Sequence, residues 1–376
     1  MLRALSYYLL FFLFICSVSL VITPSSFAQQ VSPTPPKSEF MKATVIGSEG
    51  EKKNPYSDYQ STIQVLDVVI LDGSDIGKTV QVQYDAQRIN DLILHTGDTV
   101  ILTKTSSASG PVTYSIESKY RLAPLSFIGI AFVLLVVFVA GWKGIGSFIG
   151  LGISLGIIFV YIVPQILAGQ DPLLVCMIGA VGILLFTTYA AHGISKQTSI
   201  ALVSTLLALF LTYGLSVLFV KLSLLTGYID ENSIAVHFGT GHLIDVKGLL
   251  LGGIIIGTLG ALNDVTTTQA ATMFELVRTD KQVTRKQLFK KGLFVGREHV
   301  VSLINTLVLA YAGSSLTVFL FLFYNASYYP LWVILNSETL SEEVVRTIAG
   351  TMGLVLVVPI VTFIAAYFAT KTQKSV

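Results

Sequence analysis

The chain has 376 residues, of which 53% are hydrophobic and 12% charged, with a formal net charge of +2. A soluble domain carries nearer about a quarter charged residues, so this composition excludes an ordinary soluble protein and points to a membrane protein. So small a net charge leaves no footprint for nucleic acid. The two cysteines, Cys16 and Cys176, both lie in apolar runs and exclude a disulfide framework or a thiolate metal site.

Residues 1–28 place Arg3 before an apolar core from Leu9 to Ile22, then Pro24 and the small-x-small exit Ser26-Phe27-Ala28. That layout predicts a secretory signal cleaved after Ala28, with an uncleaved anchor as the alternative. Bulky Phe14 and Ile15 argue against a lipoprotein site at Cys16. Either outcome puts the next segment outside the cytoplasm. Residues 29–37, QQVSPTPPK, read as an extended Pro-rich linker. From 38 to 120 the pattern has period two, clearest where Val80, Val82 and Tyr84 alternate with Thr79, Gln81 and Gln83. Similar runs at Met41–Ile46, Ile63–Leu71, Val100–Thr103 and Tyr114–Ile116 are separated by Asp72-Gly73, Gly97-Asp98 and Ser109-Gly110-Pro111. These predict about five short strands in a small extracytoplasmic all-β domain, a barrel or sandwich, with an OB-like barrel as one form.

Residues 121–370 hold apolar runs of about twenty residues each, the length that spans a bilayer. The expected spans are Leu122–Trp142, Ile145–Leu167, Pro172–Ala191, Thr198–Leu222, Gly248–Thr268, Val300–Phe323 and Ile348–Ala369. With the β-domain outside, the inner loops receive Lys143, Lys196, the group from Arg278 to Arg297, and Lys371 and Lys374 of a short cytoplasmic tail, residues 371–376. The outer loops keep Lys221, Lys247 and Arg346 beside six acidic residues. An α-helical polytopic protein of the cell membrane with a cytoplasmic C-terminus therefore satisfies the positive-inside rule. In the inner loop, Thr284-Arg-Lys-Gln287 has capping-box spacing. It predicts a basic amphipathic helix on the inner leaflet, with a solvated basic loop as the alternative.

The polar groups of Gly252–Leu276 carry the candidate chemistry. Asp264, Thr268, Ala271 and Glu275 fall near one helix face, with Thr267 and Thr272 beside them. An ionised Asp264 facing lipid would cost about 2.5–3.5 kcal/mol, so a cavity or partner helix is expected there. Arg297 and Glu298 enter the sixth span from the same side, with Asn305, Thr306 and Tyr311 further along it. A polar pathway between spans five and six follows, with Asn263, Asp264, Thr267, Thr268, Glu275, Arg297, Glu298 and Asn305 as its residues and Asp264 paired to Arg297 or to a cation. The competing reading is packing: threonines join membrane helices by hydrogen bonds, and Gly253 and Gly257 stand in GxxxG spacing. His192, before Gly193, reads as a helix-end residue. His237, His242 and Asp245 fit no zinc-helix spacing. No P-loop, G-x-S-x-G elbow or H-E-x-x-H helix occurs, and no cofactor or metal is expected.

HGISKQT at His192–Thr198, GIIIGTLGALNDV at Gly253–Val265, the following TTTQAATMFEL, and GREHVVSLINTLVLAYAGSSL at Gly296–Leu316 resemble the YibE/F-like family of bacterial multi-pass membrane proteins. Glu298 stands where the family commonly has Asp, and Asn263 where an apolar residue or another acid is common. The resemblance implies architecture rather than an activity. The leading functional expectation is a permease or transport-associated component for a small solute or ion, not an enzyme. The alternative is an envelope scaffold or sensor whose β-domain binds a partner protein while the helices sit in the lipid bilayer. A membrane enzyme would need Asp264, Glu275 and Glu298 to converge.

Overall fold

The computed structural model describes residues 37–53, 62–86, 93–106, 112–227, 244–324 and 328–373. The expected signal segment and nearly all of the linker lie outside them, as do His237 and His242. The described chain divides into two compact units, residues 37–138 and 139–373.

In the first unit, β1 (Lys37–Lys53), β2 (Thr62–Ile70), β3 (Thr79–Ala86), β4 (Thr99–Ser106) and β5 (Thr113–Lys119) make one antiparallel sheet in the order β3-β2-β1-β4-β5. Each of the five expected runs is a strand. β1 is central because it is long: Lys37–Thr44 pairs with β4 and Ala43–Lys53 with β2. Its register shifts near Gly47 and after Ser48, and such bulges bend a strand. The edges β3 and β5 approach each other, so the sheet curls into a half-barrel. Its inner face carries Met41, Ala43 and Val45 of β1 against Leu66, Val68 and Ile70 of β2 and Val100 and Leu102 of β4. Gln64 closes the interior by exchanging hydrogen bonds with the backbone of Leu94, accepting at 2.9 Å and donating at 3.3 Å.

The turn after β2 is pinned by Asp75, which is buried and accepts from Lys104, Lys78 and the Tyr114 hydroxyl. Lys104 first, then Lys78 and Tyr114, hold its carboxyl well below the usual carboxylate range. A carboxyl depressed in the folded state contributes stability above its unfolded value, about pH 3.9, and loses it as pH falls towards the folded value. Asp75→Asn is therefore expected to make the β-domain less resistant to proteolysis at neutral pH and to flatten its loss of resistance in acid. Digestion of the full-length protein from about pH 7 down to about pH 3 measures both.

α1 (Leu122–Ala140) follows β5, is apolar all round, and has no buried residue. In the second unit, α2 (Trp142–Ile157) continues through a π-turn at Ile158–Ile162 into Val163–Leu167. Pro164 explains the wider turn, because it lacks an N–H and its ring would meet the Val160 carbonyl in a regular helix. Next come α3 (Pro172–His192), α4 (Lys196–Leu222), α5 (Val246–Thr279), α6 (Arg285–Ser314), α7 (Leu316–Tyr324), α8 (Leu331–Leu335) and α9 (Glu338–Gln373). Among the described residues, seven helices are long and apolar enough to cross a membrane. The first four expected spans match these helices closely. The fifth extends to Thr279, the sixth begins at Arg285 and breaks at Ser315, and the seventh begins at Glu338.

α5 is the hub, packed against α3, α4, α6 and α9. Close approach uses Gly252, one residue before the first glycine of the expected GxxxG pair: a Cβ there would stand 2.6 Å from Cys176 Sγ. Gly253 meets nothing within 4 Å. Side-chain bonds tie the hub to its neighbours. The Thr205 and Thr266 hydroxyls meet at 2.6 Å, and Thr188 donates to Asn263 Oδ1 at 2.9 Å. Buried Gln269 donates to the Gly292 carbonyl and to Thr362 Oγ1, both at 2.8 Å, joining α5, α6 and α9.

The capping box at Thr284 is present, with Thr284 accepting from the Gln287 N–H and Gln287 from the Thr284 N–H. The helix it starts is the first half of α6, not a loop. Leu288 is fully buried against Met273, Ala365 and Ala366, so part of its apolar face packs on the bundle, while Phe294 stays exposed. Arg285 donates to Thr370 Oγ1 at 3.1 Å and stacks over Tyr367.

The helix ends differ in charge balance, although Lys221, Lys247 and Arg346 lie at the acidic end and Glu275 and Asp280 at the basic one. Asp171, Asp245, Glu338, Glu342 and Glu343 gather at the end where Thr226 and Gly227 donate to Glu338. Lys196, Arg278, Lys281, Arg285 and Lys291 gather at the other, where Arg285 meets Thr370. Glu342 is fully buried, and among the described residues neither carboxylate oxygen has a hydrogen-bond partner of normal geometry. Arg346 is engaged by Glu343 at 2.6 Å. Such a group costs about 1–3 kcal/mol or more. Glu342→Met is therefore expected to raise the thermal stability of the purified protein by about that amount, while Glu338→Ala lowers it.

Candidate functional site

The site is a cavity of about 1040 Å³ between α2, α3 and α5. Small residues make the space. Gly146, Ser147, Gly150 and Ser154 lie on one side of α2, and Ala190, Ala191 and Gly260 on the others. A Cβ at Gly146 or Gly260 would meet nothing within 4 Å, and one at Gly150 only Thr187, at 3.9 Å.

Its polar groups are Asn263 and Asp264 of α5, Thr187 and His192 of α3, and Ser147 and Ser154 of α2. Ser154 donates to the Gly150 carbonyl at 3.0 Å, and Thr187 to the Ile183 carbonyl at 2.7 Å. Asn263 is positioned by Thr188, which leaves its amide NH2 for the cavity. Asp264 has no ion pair or side-chain hydrogen bond among the described residues. His192 ends α3, where Gly193 at φ +70° turns the chain and returns its N–H to the Tyr189 carbonyl at 2.9 Å.

Of the residues expected to line the pathway, Asn263 and Asp264 come together at this cavity, one helix face away from α6. Asp264 is not paired to Arg297. Arg297 and Glu298 are exposed on α6, as is Asn305, and none of the three lines the cavity. Thr267 donates to the Asn263 carbonyl at 2.9 Å, Thr268 is exposed, and Glu275 pairs with Arg278 at 3.2 Å near the helix end. Asp264, Glu275 and Glu298 do not converge. The correction has a physical cause: α6 meets α5 mainly near Gln269 and Met273, through Gly292 and Gly296, past the turn that carries Asp264. Asp245 serves as the N-cap of α5, accepting from the Lys247 N–H at 3.1 Å. No cluster of three metal-ligating side chains occurs among the described residues.

A model of the YibE/F-like protein family matches residues 128–371. The chain belongs to the YibE/F-like family. Every cavity-lining residue and the Gln269 knot fall inside the match, whereas the β-sheet lies before it. Together with the seven apolar helices, membership makes this a multi-pass membrane protein. No curated protein and no solved structure matches the chain. Sequence reasoning missed Ser147, Ser154, Thr187 and the cavity role of His192. A signal existed in the Gly-Ser face of Gly146–Ser154, whose i, i+4 and i+8 spacing leaves one side of α2 without bulk.

Proposed function

We propose that this YibE/F-like protein is a permease, or the membrane component of one, passing a small solute or ion through the cavity between α2, α3 and α5. The observation that carries this reading is Asp264, without an ion pair among the described residues, at an open polar cavity in the middle of an apolar helix. Exposing that carboxylate to lipid instead would cost about 2.5–3.5 kcal/mol. The charge sorting of the helix ends supports a cytoplasmic basic end in the cell membrane, with the acidic end and the β-domain outside. The strand order β3-β2-β1-β4-β5 with β3 near β5 supports an OB-like half-barrel able to bind an envelope protein. The reading assigns no covalent chemistry to the chain and no partner to the helices beyond the bilayer and the solute.

Flux of a panel of small ions and solutes into proteoliposomes tests it. Asp264→Asn is expected to lower the flux of whichever substrate is carried by about tenfold or more, ~1.4 kcal/mol of barrier. Arg297→Ala is expected to leave it unchanged. The opposite pattern would sink the proposed route.

A further inference from the structure

We infer that the Asp264 cavity binds a monovalent cation, an inference that rests on the cavity serving as the passage. Three observations set the charge and its sign. Among the described residues, Asp264 is the only carboxylate that lines the cavity, and no described lysine or arginine side chain lines it. The hydroxyl hydrogens of Ser154 and Thr187 are already given to the Gly150 and Ile183 carbonyls, so these side chains turn lone pairs, not donors, to the interior. The C-terminal end of α3 closes the same space at Ala190, Ala191 and His192, where the last carbonyls lack helical partners and the dipole is negative.

An acceptor-rich wall with one full negative charge favours a cation. A divalent ion such as calcium collects oxygen ligands that commonly include several carboxylates, and only one is present. An anion would face the Asp264 carboxylate with only uncharged or weakly basic side-chain donors, the Asn263 amide, the Ser147 hydroxyl and His192. The remaining class is a monovalent cation, either an alkali metal ion or a small primary ammonium. A volume of about 1040 Å³ admits both, the metal ion with water about it.

Full-length protein in nanodiscs of neutral lipid distinguishes them. Its thermal stability is measured in sodium, potassium and methylammonium chloride, with choline chloride holding ionic strength. At least one of the first three is expected to stabilise saturably. Asp264→Asn should weaken that response at least tenfold, Asp264→Glu should restore part of it, and Thr187→Val should weaken it severalfold. Equal responses in wild type and Asp264→Asn, no cation response, or calcium outcompeting the monovalent ions at Asp264 would each overturn the inference. Ser147→Cys separates the two levels: labelling by a water-soluble maleimide without cation binding removes this inference but leaves the passage, whereas no labelling removes both.

Discussion

Adding one methyl group at Gly353 is expected to destabilise the helical unit more than any surface change. A Cβ there would stand 1.9 Å from Thr212 Oγ1 and 3.0 Å from Thr212 Cβ. Thr212 cannot swing away, because it is fully buried, β-branched, and bonded to the Ala208 carbonyl at 2.8 Å. Gly353→Ala must therefore push α9 off α4, and overpacking of this kind costs about 1–3 kcal/mol or more. Thermal unfolding of the purified protein is expected to fall accordingly. Thr212→Gly in the same chain should recover a large part of the loss, a coupling within the range of about 0.5–3 kcal/mol that contacting residues show. Losses that simply add in the double variant would show that the two helices do not meet at this point.

Gln269→Glu is the second. The change is isosteric but replaces an NH2 that serves two acceptors, the Gly292 carbonyl and Thr362 Oγ1, with oxygen. A buried carboxylate would then face a carbonyl at hydrogen-bond distance with no donor, a loss of about 3 kcal/mol or more at neutral pH. Gln269→Leu removes the bonds without the charge and should cost less, about 1–2 kcal/mol. Unfolding midpoints in the order wild type, Leu, Glu are expected. The knot sits one turn from Pro359, which already deprives α9 of a bond to the Val355 carbonyl.

Much of the architecture is legible in the sequence because it depends on local periodicity. The five strands follow from alternation, and the first four spans from apolar runs bounded by short breaks of Gly, Pro or polar residues. The last three spans, α5, α6 and α9, outrun their apolar windows for a local reason as well. Glu338, Glu342, Glu343 and Arg346 depress hydropathy at the start of α9, yet Glu338 anchors to Thr226 and Glu343 pairs with Arg346, so the helix forms there. The helix partners are not legible. A helical wheel puts Asp264 and Glu275 on one face, but which neighbour that face meets depends on how the glycines seat. Gly252, Gly253, Gly257 and Gly260 lie on different sides of the helix, and contact with Cys176 selects Gly252. That choice turns Asp264 towards α2 and α3 rather than α6. His192 reads as a helix end in sequence and is one; its second role at the cavity rim exists only because α3 ends beside α5.

The most direct test of the cavity is its access to water from the basic end. Single cysteines at Ser147, Thr187, Leu207 and Asn305 are introduced with Cys16 and Cys176 replaced, and an impermeant maleimide is added to vesicles of known orientation. Ser147→Cys and Thr187→Cys are expected to react from the basic end, while Leu207→Cys on the outer face of α4 and Asn305→Cys on α6 stay unlabelled. Reaction at Asn305→Cys with none at Ser147→Cys or Thr187→Cys would contradict the account and return the passage to the contact between α5 and α6.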